Sequence, residues 1–79
     1  MKGNPKMHED YKGHDIYFTA SFVPDGWKPH VYVVFDEGVQ HILKNFTIDK
    51  IFAAREQAEQ AGLLFAQKWI DDGKPDLKP

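Results

Sequence analysis

The side chains of this sequence that could do chemistry are its histidines and carboxylates. They are His8, His14, His30 and His41, with Glu9, Asp10 and Asp15 nearby. No two of the histidines have the i, i+4 helical spacing or the short paired spacing that zinc sites use. We therefore expect these histidines to be solvated surface residues, and we expect no metal site and no cofactor.

The sequence also lacks motifs for catalysis. It contains no cysteine, no G-x-S-x-G nucleophile elbow, no glycine-rich phosphate loop and no H-E-x-x-H. A chain of 79 residues rarely encloses the pocket of about 300 Å³ or more that a small-molecule site needs. The adjacent Asp36 and Glu37 stand in a predicted turn, where acids are common for structural reasons. We therefore predict a protein that is not an enzyme.

The charge of the chain bears on its partners and its location. The net charge is −2, and the ten cations are nine lysines and Arg55. Bidentate recognition of phosphate or guanine depends largely on arginine, so nucleic acid is disfavoured as a partner. The first ten residues contain no apolar run that could act as a signal peptide or an anchor. We therefore expect a cytoplasmic protein that does not bind membranes.

Alternating apolar residues predict three β-strands. The apolar positions are Ile16, Phe18, Ala20 and Phe22 in the first strand, Val31, Val33 and Phe35 in the second, and Ile42, Phe46 and Ile48 in the third. Turn residues at 24–26 and 36–38 join them. Strands joined by such short turns are most simply antiparallel.

One amphipathic helix is predicted to follow the strands. Its apolar stripe recurs at helical spacing and consists of Ala58, Ala61, Gly62, Phe65, Ala66 and Trp69. A start near Ala54 is favoured over a start at Asp49, because the earlier start would place Arg55 inside this stripe. Gly73 and Pro75 end the helix. The small residues of the stripe would let the helix lie close against a sheet.

Together these elements predict an α+β fold, in which a three-stranded antiparallel sheet packs on one C-terminal helix in the order β-β-β-α. We expect a single domain over residues 11–73, with a flexible lead-in at residues 1–10 and a flexible tail at residues 74–79. The strand order stays open, since three short strands permit a meander or a crossover. In either arrangement one face of the sheet has no covering element.

This uncovered sheet face is the best candidate for a binding site. The alternation places Tyr17, Thr19, Tyr32 and Val34 on it, with His30 and Lys28 at one end. Aromatic residues on an open sheet stack on bases in several single-strand binders. A cross-strand tyrosine pair can equally stabilise the sheet without any ligand, by about 0.2–1 kcal/mol. Lys44 of the third strand would add a cation to a nucleic-acid site.

Two positions outside this face are further candidates. Trp27, beside the first turn, is either an exposed anchor or a lid on the sheet edge. Asp71 and Asp72 face the negative end of the helix dipole, which typically costs up to ~1 kcal/mol for each acid. They form either a solvated helix end next to Lys68 and Lys74 or an acidic contact for a basic partner.

Several motifs resemble those of a family of small, uncharacterised bacterial domains. They are "YKG" at Tyr11–Gly13, the central Trp27, "FAAREQAEQAG" at Phe52–Gly62 and "AQKWIDDGKP" at Ala66–Pro75. The family pairs a Y-K-G-like opening with an F-x-[TS]-x-E-E-A helix start and an A-x-x-W-I-D ending. Ala54 stands where the family has Thr or Ser, so the N-cap hydroxyl is missing. The resemblance implies the β-β-β-α architecture and no particular activity.

The same order of elements is similar in outline to two nucleic-acid-binding folds. The plant AP2-type DNA-binding domain reads DNA with arginines and tryptophans that project from its sheet, whereas the strands predicted here carry no arginine. The double-stranded-RNA-binding domain has a lysine cluster at the start of its last helix, where this chain has residues 54–57 with Arg55 and Glu56. Both likenesses are architectural, and fold does not imply function.

The function predicted from the sequence is therefore binding without catalysis. The favoured partner is a protein, including a second copy of the chain, which contacts the open sheet face or an exposed edge strand. The alternative is a weak nucleic-acid-binding domain that uses the aromatic residues and lysines of the same face.

Overall fold

The computed structural model describes residues 7–75, which form a four-stranded antiparallel sheet and one helix. The elements are β1 (Met7–Tyr11), β2 (His14–Val23), β3 (Gly26–Glu37), β4 (Gln40–Thr47) and α1 (Arg55–Asp71). The strands lie across the sheet in the order β1-β2-β3-β4, so the sheet is a meander. The predicted α+β class, the antiparallel sheet and the C-terminal helix are confirmed.

The prediction of three strands is wrong, because part of the expected lead-in forms β1. This strand pairs antiparallel with the first half of β2. The two-residue turn between them has φ values of +50° at Lys12 and +80° at Gly13, as a type I′ hairpin turn requires. Apolar periodicity misses β1 because four of its five residues are exposed. Residues 1–6 and 76–79, also predicted to be flexible, lie outside the described residues.

The helix begins and ends where its sequence predicts. Ala54 is the N-cap residue and has no side-chain oxygen to cap the first turn; instead, Gln57 Oε1 accepts a hydrogen bond from the Ala54 N–H, with an N···O distance of 3.3 Å. At the C-terminus, the Lys74 N–H donates to the Trp69 carbonyl at 2.9 Å. The Trp69 indole N–H in turn donates to the carbonyl of Pro75 at 2.8 Å. The chain therefore folds back against the last turn of α1.

The core lies between α1 and the two central strands, β2 and β3. The buried residues of the sheet are Ile16, Phe18, Val31, Val33 and Phe35, and those of the helix include Leu63, Ala66, Trp69 and Ile70. A Cβ atom on Gly62 would lie 3.6 Å from Val31 Cβ, so the helix backbone lies close over the sheet, as its small residues predict. Phe65 is 45% exposed at the margin of the helix, where it packs edge-on against Phe46 of β4.

Candidate binding face of the sheet

The open face of the sheet is formed by the side chains of β1–β4 that point away from α1. The register aligns them in rows across the strands. The rows are His8–Tyr17–Tyr32–Asn45, Thr19–His30–Thr47, Asp15–Val34–Leu43 and Ser21–Lys28. The six residues that the first two predicted strands were expected to place on this face all lie on it. They are Tyr17, Thr19, Lys28, His30, Tyr32 and Val34.

Three rings of the first row stack on one another. The centroids of His8 and Tyr17 are 4.7 Å apart with an interplanar angle of 24°, and those of Tyr17 and Tyr32 are 4.9 Å apart at 14°. Because β2 lies between β1 and β3, the Tyr17 ring is held between the other two. Both of its faces are thus covered by protein, which leaves no face of Tyr17 on which a base could stack.

A shallow depression of about 270 Å³ lies beside this row. Its polar lining includes Tyr32, Thr19, His30, Asn45 and Thr47. The hydroxyl, amide and imidazole groups there can donate and accept hydrogen bonds, and none is a permanent charge. Asn45 and Thr47 were not predicted for this site, although the alternation of β4 with Phe46 facing the core would have placed both on the open face.

Carboxylates occupy one end of the open face. Asp10 and Asp15 are directly opposite each other on β1 and β2, and Asp15 Oδ1 lies 3.0 Å from His8 Nε2. Asp36 Oδ1 lies 2.7 Å from His41 Nδ1. At the other end, the Lys28 ammonium lies 3.9 Å from an Asp49 carboxylate oxygen. An anionic partner would therefore meet more negative than positive charge on this face.

The prediction that Lys44 joins these residues is wrong. Lys44 pairs with the buried Val33, so it lies on the helix side of β4. Its ammonium is 5.7 Å from the centroid of the Phe46 ring. The strict alternation of side chains along a strand puts Lys44 on the same side as its apolar neighbours Ile42 and Phe46.

Trp27 also lies on the helix side of the sheet, away from the open face. The ring centroids of Trp27 and Phe22 are 5.1 Å apart in an edge-on arrangement. The Arg55 guanidinium lies 5.8 Å from the centroid of the Trp27 ring. The Trp27 backbone exchanges two hydrogen bonds with Phe52, each with an N···O distance of 2.8 Å. Trp27 thus folds back against the segment that leads into α1.

The two acids at the end of α1 have partners within the molecule. Asp71 accepts hydrogen bonds from the Lys12 ammonium at 2.7 Å and from the Tyr11 hydroxyl at 2.8 Å. Both hydrogen bonds lower the pKa of Asp71, and the bond from Lys12 has the larger effect. The same contacts raise the pKa values of Lys12 and Tyr11. Asp72 forms an i, i+4 ion pair with Lys68 at 3.3 Å. Asp71 therefore ties the β1–β2 turn to the helix end.

Comparison with protein-family models, with curated proteins and with solved structures finds no match to this chain. Within residues 7–75 no helix is long and apolar enough to cross a membrane. Across the same residues no three His, Cys, Asp or Glu side chains converge in a way that could hold a metal ion.

Proposed function

We propose that this domain is a non-catalytic protein-binding module that uses the open face of its sheet. Its partner is another protein or a second copy of the chain. The observation that carries the proposal is the stacked row of His8, Tyr17 and Tyr32. Stacked rings are held in place before binding, so a partner that packs on them loses little side-chain entropy. Tyrosine is also among the residues enriched at protein–protein contacts.

The surroundings of the stacked row support the same function. Leu43 is 56% exposed and lies beside the half-buried Val34, which adds apolar surface next to the rings. The hydroxyl and amide groups of the adjacent depression can bond to a partner's polar groups. The carboxylates lie toward one end, as charged residues do at the rim of a protein interface.

The alternative, weak nucleic-acid binding through Tyr17, Tyr32, His30, Lys28 and Lys44, has less support. The faces of the Tyr17 ring are covered by its neighbours, and Lys44 lies on the other side of the sheet. The aspartates on the open face would repel phosphates. On the likeness of its Y-K-G and W-I-D motifs to those of small bacterial domains, we also propose that the protein is bacterial. A cytoplasmic location remains an expectation.

The test is an amide-resolved NMR titration of isotopically labelled protein. Spectra are recorded at increasing protein concentration, in a clarified bacterial lysate, and with single-stranded oligonucleotide at low and high salt. We expect shifts or broadening of amides in β2 and β3 with concentration or in lysate. Tyr32→Ala should abolish this response, whereas Phe22→Ala, which removes an exposed ring from the opposite face of β2, should preserve it.

Two results would count against the proposal. Shifts of the same amides with oligonucleotide alone, lost at high salt, would favour the nucleic-acid alternative, because phosphate contacts weaken steeply as salt rises. If no condition perturbs the open face and Tyr32→Ala only lowers stability by about 0.2–1 kcal/mol, the stacked row is a structural feature of the sheet.

A further inference from the structure

The two edges of the sheet carry opposite charges. Within residues 7–75, β1 pairs only with β2 and β4 only with β3, so each edge presents unpaired backbone N–H and C=O groups. The sequence of β1 contains Glu9 and Asp10, whereas that of β4 contains Lys44 and no carboxylate. One edge is therefore acidic and the other is basic.

The strand directions allow β4 of one copy to accept β1 of a second copy. Successive strands of the meander alternate in direction, so β1 and β4 run antiparallel to each other. A second copy with its helix on the same side of the sheet would therefore continue the antiparallel pattern. Such a contact is head to tail, because it joins different edges of the two copies.

One register of this pairing matches the helix-side residues of both edges. Placing Glu9 opposite Lys44 also fixes the neighbouring pairs, because residue numbers rise along one strand while they fall along the antiparallel strand beside it. The helix-side pairs are then Met7 with Phe46, Glu9 with Lys44 and Tyr11 with Ile42. On the helix side, each edge therefore has one charged residue between two residues with large apolar groups. The two charged residues are opposite in sign. On the open side, His8 would face Asn45 and Asp10 would face Leu43, so no like charges meet.

Apolar surface lies beside β4 for such a contact to cover. A groove of about 370 Å³ between β4 and α1 is lined by the rings of Phe46, Phe65 and Trp69, among other residues. Phe65 and Met7 are each 45% exposed. In the register above, Met7 of the second copy lies opposite Phe46, at the mouth of this groove. Association would therefore remove apolar surface from water on both copies.

Pairing of like edges offers no such match. Two β1 strands overlapping along their whole length would place Glu9 opposite Glu9. Two β4 strands could also pair with the helices of both copies on the same side of the sheet. Lys44 would then face Lys44 of the other copy or, after a shift by two residues, Ile42. Neither arrangement pairs a carboxylate with a lysine, although the first would place His8 opposite Asp10. Like charges directly across a sheet are destabilising.

We propose that the chain associates with itself head to tail, β1 of one copy adding to β4 of the next through a Glu9–Lys44 pair. The contact spans the five residues of β1, so it belongs with small, transient interfaces. It uses the sheet edges and leaves the open face uncovered, so it does not depend on the function proposed above.

The test is a charge exchange measured by sedimentation velocity at low salt, with protein up to about 1 mM so that dissociation constants of that order are detected. Wild-type protein should associate with increasing concentration. Lys44→Glu and Glu9→Lys should each weaken association by about 2- to 30-fold, because a favourable cross-strand pair becomes a repulsive one. An equimolar mixture of the two variants should associate more strongly than either variant alone, to within about twofold of wild type. Each contact between unlike variants again joins opposite charges, and half of the molecules are unlike partners.

Lys50→Glu is the matched control, because it makes the same charge change outside the sheet and should leave association unchanged. The edge contact is overturned if wild-type protein stays monomeric throughout, or if both single variants associate as wild type does. It is also overturned if Tyr32→Ala abolishes association while Lys44→Glu leaves it at the wild-type level, a result that would instead support an interface on the open face. Failure of the mixture to recover association refutes the proposed register.

Discussion

Replacing Gly26 by alanine should weaken the joint between the β2–β3 hairpin and the segment that leads into α1. Gly26 has a φ of +146°, and a Cβ atom there would lie 2.4 Å from the Phe52 carbonyl oxygen and 2.9 Å from Ile51 Cγ2. That same carbonyl accepts a hydrogen bond from the Trp27 N–H at 2.8 Å. The added methyl group therefore meets a backbone atom that cannot move away without disturbing the two hydrogen bonds between Trp27 and Phe52.

The expected loss of stability has two parts. Holding alanine at an unfavourable positive φ costs about 1–3 kcal/mol. Losing the two backbone hydrogen bonds would add about 0.5–1.5 kcal/mol for each. The sum of about 2–6 kcal/mol compares with a total unfolding free energy of about 4–12 kcal/mol for a chain of this length. Gly38→Ala is the matched control, because Gly38 also has a positive φ, +62°, but nothing lies within 4 Å of its added Cβ.

Urea denaturation followed by circular dichroism measures the difference between the two variants. We expect Gly26→Ala to lower the midpoint further than Gly38→Ala does, with similar m values. Amide hydrogen exchange should also become faster at Trp27 and Phe52 in Gly26→Ala alone. If the two variants lose equal stability, the close approach of Gly26 to Phe52 does not stabilise the fold and the reasoning fails.

Two further predictions concern the core and the helix end. Ile16→Ala should cost about 2–5 kcal/mol because Ile16 is fully buried, whereas Phe22→Ala should cost less than about 1 kcal/mol because Phe22 is 72% exposed; denaturant titration checks both, and equal losses would contradict the assigned core. The hydrogen bonds from Lys12 and Tyr11 hold the pKa of Asp71 below the ordinary value of 3.8, so ionised Asp71 stabilises the fold above that pH and the contribution is lost as pH falls through the lowered pKa. Asp71→Asn should therefore be less stable than wild type at neutral pH, and the gap should close in acid; a gap that stays constant with pH would rule out this linkage.

The elements with buried faces could be predicted from the sequence alone. Val31, Val33 and Phe35 alternate because one side of β3 packs under the helix, and burial requires apolar residues at every second position. The small residues of α1 likewise predict its close approach to the sheet. Burial imposes a local pattern on the sequence, and that pattern is sufficient to identify β2, β3, β4 and α1.

The strand β1 lacks such a pattern because little of it is buried. Its place is set by pairing with β2 across the Lys12–Gly13 turn. Two features of the molecule depend on it: in the candidate site, His8 covers one face of the Tyr17 ring, and at the edge of the sheet, Glu9 contributes negative charge. The residues of the open face could therefore be predicted in part. Whether the faces of its aromatic rings are open to a partner could not be predicted.

Contacts between distant residues were decided only by the tertiary structure. Asp71 meets Lys12 and Tyr11 across 59 and 60 positions of the chain, and Trp27 meets Phe52 through the backbone. By itself the sequence determined the fold class, the helix and three of the four strands, because periodic burial is written into neighbouring residues. The fourth strand and the partners of the polar and aromatic candidates depend on which surfaces meet after folding, and no local period encodes that.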